Sequence, residues 1–155
     1  MEKSMNKYIW DLRYLKLAEH ISTWSKDSTG IGSVAIGDQG QVLAQGYNGF
    51  PRGVKDSQER YDVKEDKYKF VVHSEMNVIY NASYNGVSLR DSTLYVWGLP
   101  VCSECAKGII QTGIKRVVMS NRDRISTLPL SDKWRESFDL TKTLFEEAGV
   151  EWEFV

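Results

Sequence analysis

The sequence predicts an α/β domain of three layers, α-β-α, around a mixed five-stranded sheet. Two observations carry this. From residue 70 onward, segments with strand patterning alternate with segments of helical patterning, the order that places helices on both faces of one sheet. Ahead of them stand two strands joined by a tight turn, so the sheet is mixed and not wholly parallel. A chain of 155 residues suits one domain. No repeat, low-complexity stretch or linker divides it, so the domain is read as 1–155.

Tyr8 to Trp24 carries apolar residues at Ile9, Leu12, Leu15, Leu17, Ile21 and Trp24, with Asp11, Arg13, Lys16 and Glu19 between them. That is close to helical spacing, and Ser28-Thr29-Gly30 breaks it. Ile31 to Ile36 reads as a strand, Gly37-Asp38-Gln39-Gly40 as a hairpin turn and Gln41 to Tyr47 as a second strand. A loop follows over Asn48 to Gly53. Val54 to Lys69 is dense in charge and has little periodicity; it is either a solvated insertion or a functional loop, since loops of that length are uncommon. Phe70 to Tyr84 predicts a helix with Val71, Val72, Met76, Ile79 and Tyr80 on one side. Ser92 to Trp97 is a strand, Cys102 to Thr112 a helix stopped by Gly113, and Lys115 to Met119 a strand. Ser131 to Ala148 is a helix stopped by Gly149, and Val150 to Phe154 is the last strand.

Composition excludes several classes. Hydrophobic residues at 41% and charged residues at 26% match an ordinary globular chain and not a disordered one. No apolar run approaches the roughly 18 residues of a membrane span. Met1 to Lys7 leads into no apolar stretch, so neither membrane nor secretory leader is expected and a cytoplasmic location is. A net charge of -1 provides no positive field for tight nucleic-acid binding.

There are two cysteines, Cys102 and Cys105, and two histidines, His20 and His73. Cys-x-x-Cys in such a chain reads as a metal site or a redox motif. Zinc takes imidazole nitrogen and thiolate readily. Cysteines three apart on a first helical turn point the same way, and the helix N-terminus favours their thiolates. His73 offers a third ligand from the start of another helix. Three protein ligands plus a water is the catalytic pattern of zinc, and four the structural one, which would need His20. His20, between apolar neighbours on the first helix, is more simply a packed or surface histidine. Glu75, two residues past His73, is placed to take a proton from a zinc-bound water and return it elsewhere. A nucleophile of this kind beside a proton shuttle suits hydrolytic deamination of an aminopyrimidine or aminopurine. His-x-Glu with Pro-Cys-x-x-Cys is the pattern of zinc-dependent nucleobase deaminases.

From about Ser25 to Val155 the chain resembles the deoxycytidylate (dCMP) deaminases of the cytidine-deaminase-like superfamily. Three segments carry the likeness: Gly46-Tyr47-Asn48-Gly49-Phe50-Pro51-Arg52-Gly53, His73-Ser74-Glu75-Met76-Asn77, and the run from Cys102 to Lys115. The G-Y-N-G loop and the C-A-K-x-I-x-Q-x-G-I-K run are similar to dCMP deaminases in particular. The resemblance implies hydrolysis of dCMP to dUMP and ammonia, supplying thymidylate synthesis. It implies zinc on His73, Cys102 and Cys105, attack of hydroxide at C4, and Glu75 protonating ring N3 and then the leaving amine. It places Asn48 at the sugar and the Ser25-Lys26-Asp27-Ser28 stretch near the phosphate, where Lys26 and Ser28 suit a phosphate monoester. It also implies a homo-hexamer, switched on by dCTP and off by dTTP. Those effectors bind with Mg2+ at a second site, to which Asn48, Gly49, Arg52 and Gly53 contribute.

The chain departs from that family at one point. Val101 stands between Pro100 and Cys102, where the motif joins proline directly to cysteine. Either the loop bulges over the base pocket or the helix start shifts by one residue. No cysteine remains for a second, structural zinc, so one zinc per chain is expected. The rival readings are a zinc deaminase of another cytosine nucleoside or nucleotide or of a tRNA adenosine, and a non-catalytic nucleotide-binding zinc protein.

Overall fold

The computed structural model describes residues 2–122 and 129–155. Its elements are α1 (Glu2–Ser22), β1 (Gly32–Ile36), β2 (Val42–Tyr47), α2 (Gln58–Asp62), α3 (Lys64–Phe70), α4 (Ser74–Asn85), β3 (Thr93–Trp97), α5 (Ser103–Gln111), β4 (Arg116–Met119), α6 (Asp132–Ala148) and β5 (Glu151–Phe154). The five strands run in the order β2-β1-β3-β4-β5. β1 is antiparallel to both its neighbours, while β3, β4 and β5 are parallel.

Strand alternation sorts the core into two layers. Val34 and Ile36 of β1, Tyr95 of β3 and Val118 of β4 face α1, which covers them with Leu15, Ala18 and Ile21. Ala35, Leu94, Val96, Val117 and Met119 face the other way. Val78 and Ala82 of α4, Ala106 and Ile109 of α5 and Phe145 of α6 bury them. The predicted α-β-α sandwich is therefore the observed one. No helix among the described residues is long and apolar enough to cross a membrane.

Three boundaries differ from the sequence reading. Helix α1 begins at Glu2, ahead of the apolar spacing that starts at Tyr8, and residues 4–10 are exposed. The charged stretch forms two short helices, α2 and α3, seated by Tyr61, whose ring stacks on Phe50 at 4.1 Å. The third difference shapes the site. Val71 and Val72 do not join α4, because Val72 exchanges two backbone hydrogen bonds with Gly49 (2.7 and 3.1 Å). Paired β-branched residues accept that extended geometry readily. Helix α4 consequently starts at Ser74, and Tyr80, expected on its apolar side, is half exposed.

Edge strand β2 grips the start of α4. A Cβ on Gly46 would lie 2.6 Å from the Ser74 carbonyl oxygen and 2.7 Å from the Val78 nitrogen, so only glycine permits this approach. Asn77 and Asn81, one turn apart on α4, donate to the carbonyls of Tyr47 (2.7 Å) and Gln45 (2.6 Å). On the opposite face, α1 is pinned to the sheet by a buried charge network. Arg116 donates to both carboxylate oxygens of Asp11 (3.0 and 2.7 Å) and to Glu153, and the Tyr95 hydroxyl donates to Asp11 at 2.6 Å. Asp11→Ala leaves the buried guanidinium and phenol without their shared acceptor. It is expected to lower unfolding free energy by about 3–5 kcal/mol, read from the midpoint of urea denaturation.

Candidate active site

Two helix N-termini meet at the site. His73 is the N-cap of α4, held extended (φ −63°, ψ 153°) by the Gly49–Val72 pairing just before it. Cys102 is the N-cap of α5, and its Sγ accepts from the Cys105 N–H at 3.5 Å. The His73 Nδ1 lies 3.3 Å from Cys102 Sγ and 3.4 Å from Cys105 Sγ. Both cysteines are reduced and buried. The three donor atoms all lie within 4.8 Å of one another. One borderline nitrogen and two soft sulfurs, aimed at a common point, are a donor set that fits zinc, with a fourth tetrahedral position left over. His20 is outside this group; it is exposed on α1 and packs edge-on against Trp24 at 5.7 Å.

Glu75 occupies the first turn of α4 and is 4% exposed. Ser74 Oγ donates to its Oε1, and Ser74 is in turn paired with Ser33 Oγ of β1 at 2.7 Å. Burial pushes the Glu75 carboxyl upward from its ordinary pKa, partly opposed by the His73 charge and the Ser74 hydrogen bond. Among the metal donors, the hydrogen bond from Cys105 holds the Cys102 thiol down at about 4. Its contact with Cys102 raises the His73 imidazole to about 8. The Cys105 thiol is pushed up by the same contact, by burial and by Glu75.

A cavity of about 220 Å³ leads to His73. Asn48 lines it and is buried; its Oδ1 accepts from the Ile31 N–H (2.8 Å) and its Nδ2 donates to the Thr29 carbonyl (2.9 Å). Lys67 of α3 lines it too, 3.1 Å from Asp27 Oδ1, with only 14% of its side chain exposed. Lys67 was not singled out in the sequence. In the charged stretch nothing distinguishes it from Lys64 or Lys69; only the fold of α3 turns it inward.

Lys26, expected at the substrate phosphate, does not line the cavity that reaches His73. Its ammonium is drawn 2.8 Å from Asp56 Oδ2, and it lines a second, larger cavity of about 840 Å³. Ser28 lines neither cavity. Gly49 and Arg52 line the larger one, together with Trp24, Tyr47 and Tyr84; Gly53 does not. The Arg52 guanidinium lies over the Tyr84 ring at 4.7 Å and donates to Asn81. Asn48, expected at both sites, lines only the smaller cavity. Val101 does not bulge over the pocket. Its side chain is fully buried in the main core, and α5 starts at Ser103.

The charges of the donor set predict a proton count. Without the ion, proton affinity is held low at one thiol of the pair and pushed up at the other thiol and at His73. Zinc binding deprotonates the last two, so uptake is expected to release about two protons per ion. Calorimetry in buffers of different ionisation enthalpy measures this, and metal analysis is expected to return one zinc per chain.

Residues 8–121 match the family model described as cytidine and deoxycytidylate deaminase zinc-binding region. The chain is 36% identical over 143 residues to an uncharacterized deaminase of Aliivibrio fischeri, covering 92% of this chain and 90% of that one. It is 31% identical over 157 residues to the deoxycytidylate deaminase of Homo sapiens, covering 96% and 81%. Among solved structures, the dCMP deaminase of cyanophage S-TIM5 in complex with dCMP and dUMP superimposes with a TM-score of 0.69 at 28% identity, covering 92% of this chain and 94% of that one. With the His/Cys/Cys group and its neighbouring carboxyl in place, the chain belongs to the zinc-binding cytidine and deoxycytidylate deaminase family.

Proposed function

We propose that the protein hydrolyses dCMP to dUMP and ammonia. The observation that carries the choice of a nucleotide is Lys67, a mostly buried cation in the same cavity that reaches His73. Its relatives named as deoxycytidylate deaminases support the same substrate. His73, Cys102 and Cys105 hold the metal, and zinc bound there supplies a water that ionises near neutral pH. Asn48 meets the sugar, and Lys67 meets the phosphate with a charge-assisted hydrogen bond.

Glu75 moves the protons. Its carboxylate takes a proton from the water that adds to C4 and gives it to ring N3, which makes C4 electron-poor; burial, which raises its proton affinity, favours the uptake. It then takes the proton of the new C4 hydroxyl, which becomes the carbonyl, and passes that proton to the departing amine. The carboxyl ends the cycle as it began. The Ser33–Ser74 pair fixes its position, so little reorganisation accompanies each transfer.

The larger cavity is assigned to a regulatory nucleotide, dCTP as activator and dTTP as inhibitor, with its Mg2+ and within a homo-hexamer. Two features support this. Aromatic rings and Arg52 line it, and it shares a wall with the smaller cavity. In the paired segments 48–49 and 71–72, Gly49 and Val72 line the larger cavity while Asn48 and Val71 line the smaller.

Ammonia release from dCMP, with deoxycytidine and CMP alongside, tests the substrate. Equal turnover of dCMP and deoxycytidine would overturn the nucleotide assignment. Glu75→Gln is expected to cut turnover by roughly 10²–10⁴-fold while zinc content and fold persist. Lys67→Met is expected to raise KM for dCMP by about 10- to 150-fold and to leave deoxycytidine unaffected. In the same assay, dCTP is expected to raise the dCMP rate and dTTP to lower it; no response to either would remove the regulatory assignment.

A further inference from the structure

The residue added before the cysteine turn has a role that the reaction alone does not explain. Three side chains of α6 reach the backbone around Cys102. Trp134 Nε1 donates to the Pro100 carbonyl at 3.0 Å, and Thr141 Oγ1 donates to the Val101 carbonyl at 2.9 Å. Ser137 Oγ accepts from the Ser103 N–H at 2.9 Å. Positions 134, 137 and 141 fall on one face of the helix. Val101 supplies the second of these carbonyls, and its buried side chain anchors the loop in the main core.

This seam places an aromatic face at the site. The indole of Trp134 lines the cavity that reaches His73, with the two ring centroids 6.2 Å apart. Tyr68 also lines that cavity but is 61% exposed, at its rim. Trp134 is partly buried and packs against the core. With its N–H committed to Pro100, the indole has only its apolar surface to present to a ligand. Flat apolar surface is what holds a planar nucleobase.

We infer that Trp134 is a specificity-determining residue that packs against the pyrimidine ring of the substrate, and that Val101 and Thr141 are positioning residues that hold it there. The inference rests on the deaminase reading above. It assigns base recognition to α6 and phosphate recognition to α3, so the two make separable predictions. Loss of Trp134 weakens dCMP and deoxycytidine alike, whereas loss of Lys67 weakens dCMP alone.

The test compares the zinc-loaded wild type with Trp134→Leu, Trp134→Phe and Thr141→Val. It reads kcat and KM for dCMP and deoxycytidine, the Kd for dUMP by calorimetry, and zinc content. Trp134→Leu keeps an apolar side chain at the site but removes the aromatic face. It is expected to raise KM for both substrates and Kd for dUMP by about 5- to 150-fold, the range of base–aromatic stacking, with one zinc per chain retained. Trp134→Phe is expected to recover most of that loss, and Thr141→Val to give a smaller rise of the same kind. Unchanged KM and Kd in Trp134→Leu overturn the inference. So does a loss that Trp134→Phe shares in full, or one that tracks lost zinc, since either marks a structural role. A wild type that neither binds dUMP nor deaminates any cytosine nucleotide or nucleoside overturns the deaminase reading and this inference with it. A wild type that deaminates dCMP while the variants match it overturns this inference alone.

Discussion

The site depends on one contact, the His73 imidazole nitrogen set against two thiols from a different helix. Such a contact needs two helices to start at the same place. At an N-cap the backbone is still extended while the next N–H groups lack helical partners, so a side chain there projects ahead of the helix into a positive field. His73 and Cys102 both occupy that position. Most of the neighbouring structure fixes where these two helices begin. Edge strand β2 holds α4 through the close approach at Gly46 and the carbonyls taken up by Asn77 and Asn81. Helix α6 holds α5 through the Ser103 N–H and the two carbonyls before Cys102.

Burial gives the meeting point its chemical character. A thiolate, an imidazolium and a carboxyl this close would largely ignore one another in water. Shielded by the sheet and three helices, these groups shift in proton affinity: hydrogen bonding takes Cys102 downward and His73 upward, and burial takes Glu75 upward. A metal ion resolves the mismatch among the first two and Cys105. Glu75 remains, buried and fixed by Ser74, as a group of raised proton affinity that is not one of the three metal donors.

The parts legible in the sequence were those whose signal is local. His-x-Glu and Cys-x-x-Cys each lie within one helical turn, and alternation of strands and helices sets the layers whatever the loops do. The parts that were not legible depend on distant partners. Helix α4 looked as if it began at Phe70 because Val71 and Val72 fit a helical stripe; Gly49, more than twenty residues earlier, pairs with Val72 and makes it extended. Lys26 suits a phosphate by type, but the fold sets it beside Asp56 on the wall of the larger cavity and not on the cavity that reaches His73. Lys67 carried no mark until α3 folded. The α6 seam is a case in between. Its spacing at 134, 137 and 141 is readable, yet its partners are backbone groups of another segment, which no side-chain pattern announces.

The segments 48–49 and 71–72, joined at the Gly49–Val72 bridge, explain how the two cavities lie side by side. Successive residues of an extended chain point to opposite sides, so a two-residue bridge makes a wall with a different surface on each face. One face carries Asn48 and Val71 beside the reacting group, and the other carries Gly49 and Val72 beside Arg52 and its aromatic neighbours. His73 follows Val72 directly. In the proposed regulation, a ligand gripping Gly49 or Val72 from the larger cavity would act on the backbone next to the metal-site histidine, with no long relay between. By linkage, whatever affinity such an effector adds or removes for substrate, substrate adds or removes for the effector. A thin shared wall makes that coupling short. Under the proposed regulation, the coupling would run through residues already committed to the site, the same hydrogen bonds that set where α4 begins.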